Sequence, residues 1–204
     1  MAVKLTKNEL KTQKDQLKQF ERYLPTLQLK KQQLQLVIRQ IFAELDEKSK
    51  ERQRMIGNLD DWVAVFAENT LFDDSKKIEN LVIPKSVESR TENIAGVQIP
   101  VFENLVFEDI DYEVEDYPLW VDTAIIKLRE IARLDALVKV LQKRADLLQK
   151  ELQSTSQRVN LFEKVKIPQA KENIRVIGIY LGDQQTAAVV RGKIAKKKIQ
   201  GAGA

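Results

Sequence analysis

The chain has 204 residues, of which 31% are charged and 6% aromatic, with seven glycines, five prolines and a formal net charge of +4. The absence of cysteine and histidine excludes thiolate metal sites, disulfides, cysteine nucleophiles and every histidine-based triad. A charge this small does not announce a nucleic-acid binder, and few glycines and prolines beside abundant charge predict long helices with few loops.

The opening residues, Met1 to Lys7, lack an apolar signal core, and no apolar run approaches membrane-spanning length. Together with the missing cysteines, this gives the expectation of a soluble, cytoplasmic product. From about Lys7 to Lys50, Leu17, Phe20, Leu24, Leu27, Lys31, Leu34, Ile38, Ile41 and Leu45 recur at gaps of three and four, with mostly polar residues between them. That is the seam of a coiled coil. Lys31 sits on the seam, where its stem can bury while its ammonium reaches outward. Pro25 deletes a backbone donor and is expected to kink or loosen the helix. The pattern lapses between Lys48 and Arg54, resumes at Ile56, Leu59, Val63 and Phe66, and ends over Asn69 to Lys77.

Residues 78–117 change character. Val87 to Glu92 reads as a strand, Asn93-Ile94-Ala95-Gly96 as a turn in which Gly96 takes a positive φ, and Val97 to Val101 as the returning strand. Pro100 demotes that strand to an edge, and one hairpin must lean on the helices to be stable. Glu103, Glu108, Asp109, Asp111, Glu113, Glu115 and Asp116 follow, with no Lys or Arg between Arg90 and Lys127.

Pro118 opens the second long helix. Leu134, Leu137, Leu141, Ala145, Leu148, Leu152, Thr155, Val159 and Phe162 average 3.5 residues apart, the period of a left-handed coiled coil. Beyond Pro168 a further seam runs through Ala170, Ile174, Ile177 and Leu181. A helix of about 75 residues would extend roughly 110 Å at ~1.5 Å per residue and cannot bury such a stripe alone. The expected fold is mainly α: a long antiparallel two-helix coiled coil with a small β-hairpin insert. Its parts are residues 1–70 (first helix), 71–117 (insert), 118–198 (second helix) and 199–204 (flexible tail). Both termini then share one end, made basic by Lys4, Lys7, Lys11, Lys14, Arg191, Lys193, Lys196, Lys197 and Lys198.

No chemistry emerges. Gly192-Lys193 lacks the earlier glycine and following Ser or Thr of a phosphate loop, those places being Ala187 and Ile194. The acidic run lacks calcium-loop spacing, and no cofactor is expected. Gly178 and Gly182 read as a thin spot where two helices pack closely. The basic end is either a solubilising terminus or a contact surface. Trp62, Val63, Phe66, Leu71, Phe72, Trp120 and Val121 are either buried under the hairpin or a docking face.

Three strings carry a resemblance: Leu24-Pro25-Thr26-Leu27-Gln28-Leu29-Lys30-Lys31, Asn93-Ile94-Ala95-Gly96-Val97-Gln98-Ile99-Pro100, and Arg158-Val159-Asn160-Leu161-Phe162-Glu163-Lys164-Val165-Lys166-Ile167-Pro168. With the helix–hairpin–helix order, they make the chain resemble the D subunits of the V-type/A-type rotary ATPases over all but its tail. The first helix departs from that family's usual charge at Leu29-Lys30-Lys31-Gln32-Gln33. The resemblance implies a non-catalytic axle whose basic end, at Lys4, Lys7, Lys11, Arg191, Lys193, Lys196 and Lys197, enters a ring of catalytic and regulatory subunits. It also implies that the F subunit of such a complex docks on the body, for which Trp62, Val63, Phe66, Trp120 and Val121 are candidates. A connector subunit would join the chain to the membrane rotor, with no nucleic acid bound, no direct membrane insertion and a cytoplasmic location peripheral to the membrane. The rival readings are a prefoldin-like chaperone and a basic coiled-coil nucleic-acid binder.

Overall fold

A computed structural model describes residues 3–59, 77–110, 112 and 117–201. The elements run α1 (Lys7–Leu59), a single 3₁₀ turn (Ile78–Leu81), β1 (Pro84–Ile94), β2 (Val97–Phe107), α2 (Val121–Leu161), a π-helical turn (Phe162–Lys166) and α3 (Ile167–Gly201). The chain is mainly helical, with a long helix at each end and a two-stranded antiparallel hairpin between them. It divides into two compact units, one formed by the chain up to Lys31 and from Ser154 onward, the other by Gln32–Gln153.

In the first unit, α1 starts on a side-chain N-cap. Thr6 Oγ1 accepts from the Glu9 amide at 3.2 Å, and the Thr6 carbonyl accepts the first helical bond, from Leu10. Thr-x-x-Glu is the residue pattern that satisfies otherwise orphaned amides at a helix start. Helix α1 continues through Pro25, whose missing N–H leaves the Glu21 carbonyl without its helical donor. The Thr26 hydroxyl donates to the Tyr23 carbonyl at 2.7 Å beside this gap. Asn173 donates to Gln13, the Phe20 and Phe162 rings stack at 5.3 Å, and Lys171 pairs with Glu21. From Gln13 to Phe20 the partner falls from Asn173 to Phe162, so the segments are antiparallel, and the long Lys171 side chain reaches along the pair to Glu21.

The expected disturbance at Pro168 takes the form of the π turn just before it. The Ile167 amide reaches back five residues to the Phe162 carbonyl, which widens the backbone where the proline ring would meet the carbonyl of Lys164. The same turn explains the seam. Phe162 and Ile167 are half-buried, the four residues between them are exposed, and Ala170, Ile174, Ile177 and Leu181 follow buried or half-buried at gaps of three and four. One gap of five carries an extra residue, and the π turn absorbs it so that both stretches keep facing α1.

The second unit is organised around Leu34, Ile38 and Ile41 of α1, Leu141, Ala145 and Leu148 of α2, and Ile99 of β2. Leu34, Leu148 and Ile99 are 0% exposed. The hairpin leans on the helices as expected: Ile94, Ala95 and Val97 also pack on this cluster. Its strands run further than the alternation predicts, because register irregularities at Pro84/Ser86 and Glu88/Ser89 interrupt the period-two pattern without ending the ladder. Two residues make the turn, Ala95 at φ 51° and Gly96 at φ 81°, the doubly left-handed geometry that matches strand twist. The Asn93 side-chain oxygen accepts from the Gly96 amide at 2.9 Å. Gly96→Ala is expected to destabilise the second unit by about 1–2 kcal/mol, although open space surrounds the position. Ala95→Gly is expected to cost nothing; chemical denaturation of both variants checks this.

A second cluster joins Ile78 and Leu81 of the 3₁₀ turn to Val121 and Ile125 of α2, with Trp120 and Tyr117 at its margin. Helix α2 begins three residues later than Pro118, whose carbonyl accepts the Val121 amide. The expected helix end over Asn69 to Lys77, and Asp111, Glu113, Glu115 and Asp116 of the acidic run, lie wholly or mostly outside the described residues.

Candidate functional site

Among the seam candidates of the second unit, Leu34, Ile41, Leu141 and Leu148 are buried in the main cluster. Leu45, Leu137 and Leu152 pack on its margin, and Leu134 is half-buried. In the first unit Val159 is buried, Leu17, Leu24 and Leu27 are half-buried, and Phe20 and Phe162 are half-buried and stacked. Ile56, read as part of the resumed stripe, is exposed. Seam side chains such as these hold structure and carry no reactive group.

Gly178 and Gly182 correct an expectation. Both are exposed, and a Cβ built on either meets nothing within 4 Å, so no second helix approaches them among the described residues. Gly178 lies off the seam of Ala170, Ile174, Ile177 and Leu181, next to the fully buried Ile177, and for Gly182 the alignment of α1 with α3 explains why. With Gln13 beside Asn173, α1 reaches its start at Lys7 roughly one and a half turns further along, near Ile179. From Gly182 to Gln200 every residue but the half-buried Ala187 is exposed. Val189, Val190, Ile194 and Ile199 are among them, beside Arg191, Lys193, Lys196 and Lys197.

Lys4, Lys7 and Lys11 are exposed as well, but they do not sit level with the C-terminal basic residues. Lys196 lies about 17 residues past the start of α1 in this alignment, roughly 25 Å at ~1.5 Å per residue. The basic surface is therefore stepped. Further back on α3, the Arg175 guanidinium hydrogen-bonds Glu172 and holds that carboxyl below its ordinary range.

Of the aromatic candidates, Trp62, Val63 and Phe66, with Leu71 and Phe72, lie outside the described residues. Val121 is 1% exposed and packs into the cluster with Ile78, Leu81 and Ile125, while Trp120 is half-buried at its edge. Leu119 beside them is 92% exposed. Tyr112 donates to Asp122 in the first turn of α2, a bond that raises the phenol above its ordinary pKa. Arg129 and Arg133 both stand over the Phe107 ring, at 5.3 and 5.6 Å from its centroid, which ties β2 to α2 by cation–π attraction.

Among the described residues no group of three or more Asp, Glu, His or Cys could hold a metal ion. No described helix is long and apolar enough to cross a membrane. The fold and these surfaces define a class: a helix–hairpin–helix protein whose conspicuous features are a helical pairing seam and an exposed basic helix end.

The family model for the ATP synthase D subunit matches residues 9–197, and the chain belongs to that family. It is 51% identical to the V-type ATP synthase D subunit of Borreliella burgdorferi over 97% of this chain and 95% of the relative. It is 36% identical to the protein of the same name from Chlamydia abortus, and 34% to that of Chlamydia caviae. Each of these alignments covers 97% of this chain and 94% of the relative.

Proposed function

We propose that this chain is the non-catalytic central-stalk subunit of a V/A-type rotary ATPase, turning between an ATP-hydrolysing or ATP-synthesising ring and the membrane rotor. The observation that carries the reading is the end-to-end likeness to relatives named as the D subunit of V-type ATP synthase. In this reading the partners are the catalytic and regulatory subunits of the ring, the F subunit, and a connector to the membrane rotor. The protein is cytoplasmic and peripheral to the membrane as part of that complex.

The physical features are those a torque element needs. Paired helices with a buried seam resist twisting. The exposed basic residues Lys4, Lys7, Lys11, Arg191, Lys193, Lys196 and Lys197 form a hydrated bearing against the ring, because exposed ion pairs are individually weak and exchange readily. The single-helix end from Gly182 onward is the part that enters the ring, and its exposed Val189, Val190 and Ile194 find their cover there. The F subunit docks around Trp62, Val63, Phe66 and Trp120, while Val121 packs with Ile78, Leu81 and Ile125 next to Trp120. Catalysis belongs to the ring, and this chain adds no reacting group.

Truncation after Leu181 tests the reading. The shortened chain is expected to fold, since the removed residues are nearly all exposed. The complex assembled with it is expected to hydrolyse ATP with ion pumping reduced at least tenfold. Wild-type pumping by the truncated complex, or failure of the full chain to co-purify with ring subunits, would refute the proposal.

A further inference from the structure

A groove of about 540 Å³ opens between the hairpin and α2 in the second unit. Its floor is Val87, Pro100 and Leu105 of the hairpin with Ala132, Ala136 and Val140 of α2. The volume falls within the ~300–1,000 Å³ of concave sites that seat a ligand group. Leu105 is buried, whereas Val87, directly paired with it across the ladder, is 48% exposed. Alanines at 132 and 136, one helical turn apart, keep the α2 side of the groove low.

The rim is charged in one sense. Lys139 and Lys143 line it, both exposed and four residues apart on one face of α2. Neither enters an ion pair among the described residues. Asp135, the carboxylate at the same rim, is taken by Arg52 of α1. The groove thus presents an apolar floor beneath two available ammonium groups.

We infer that this groove is a docking site for an acidic amphipathic helix of a partner protein. Its apolar face would lie on Val87, Leu105 and Val140, and carboxylates one turn apart would meet Lys139 and Lys143. Apolar anchors spaced along one helix face are how such a helix settles in a groove, and the lysine spacing matches carboxylates at i and i+4. The site is separate from the basic helix end and from the surface at Trp120, and it stands whether or not the chain turns inside a ring.

The test uses the full chain and two synthetic helical peptides with the same leucine face, one carrying glutamates and the other lysines on its polar face. Fluorescence anisotropy is expected to show the acidic peptide binding at least tenfold more tightly than the basic one. Lys139→Glu with Lys143→Glu is expected to weaken the acidic peptide at least tenfold, as is Val87→Asp. Lys150→Glu, an exposed change outside the groove, is expected to shift it less than twofold, and circular dichroism checks that every variant folds. Equal binding of the two peptides, no binding of the acidic one, or equal loss from Lys150→Glu would overturn the inference. The chain's lack of cysteine allows a photoreactive label on Val87→Cys alone. Cross-linking to the acidic peptide supports the proposal; cross-linking only within the same chain, with the peptide in excess, overturns it.

Discussion

Leu148→Asp is expected to unfold the second unit. The side chain is 0% exposed and lies among Leu34, Ile38, Ile41, Ile99, Leu141 and Ala145. Truncating a buried leucine costs about 2–5 kcal/mol in lost transfer energy and residual cavity. The carboxylate adds a further desolvation cost, because no cation stands in that cluster to receive it. The sum exceeds roughly 5 kcal/mol, which consumes most or all of the ~5–15 kcal/mol by which domains are ordinarily stable. Far-UV circular dichroism is expected to show a large loss of helix, and thermal melts a lost or strongly lowered transition. Lys150→Asp, two residues away and exposed, is expected to stay within about 0.5 kcal/mol of the parent. A wild-type melt for Leu148→Asp would mean that the two helices do not share this core.

Leu148 is legible as a core residue because one physical demand sets both its spacing and its burial. A helix facing a single partner must repeat its apolar residues near every 3.5 positions, so every residue of the three-four stripes through Leu17 and Leu134 is buried or half-buried. Asn93-Ile94-Ala95-Gly96 is legible for a related reason, since few residues tolerate a positive φ and glycine marks where one is needed. Ala95 carries no such mark. Its φ of 51° belongs to the type I′ form of the two-residue loop, which needs both of its residues left-handed. The Thr6 N-cap, with Glu9 three residues on, has the standard spacing, but it stands ahead of the seam, where no apolar stripe points to a helix start. The strands exceed their alternating core because irregular register hides alternation over Pro84–Ser86 and Phe102–Phe107. The groove has no counterpart in the sequence at all. Val87, Leu105 and Ala136 share no sequence pattern, and only the packing of the hairpin on α2 brings them together. The two glycines mislead for the opposite reason: their spacing permits close approach, but Gly178 lies off the buried seam and Gly182 lies past the start of α1.

The π turn yields the second large effect, and it concerns a pair of changes. If the turn stores one extra residue between Phe162 and Ile167, deleting Lys164 leaves Ala170, Ile174 and Ile177 in phase with α1 and makes the helix regular. Regularity has a cost here, because it returns Pro168 to an ordinary helix interior where its ring meets a carbonyl, at about 3 kcal/mol. The deletion alone is therefore expected to lower stability by roughly that amount, and adding Pro168→Ala to restore most of it. Pro168→Ala in the full-length chain is expected to help far less, since the π turn already accommodates the ring. That non-additivity is the signature of two coupled features. Deleting Arg158 instead, an exposed residue in regular α2, turns everything beyond it by ~100° and swings Ala170 and Ile177 off the seam. Its loss is expected to exceed that of the Lys164 deletion, and Pro168→Ala is not expected to rescue it. Thermal melts of these variants beside the parent decide the matter: equal loss from the two deletions, or no rescue of the first, would mean that the π turn is not what keeps α3 facing α1.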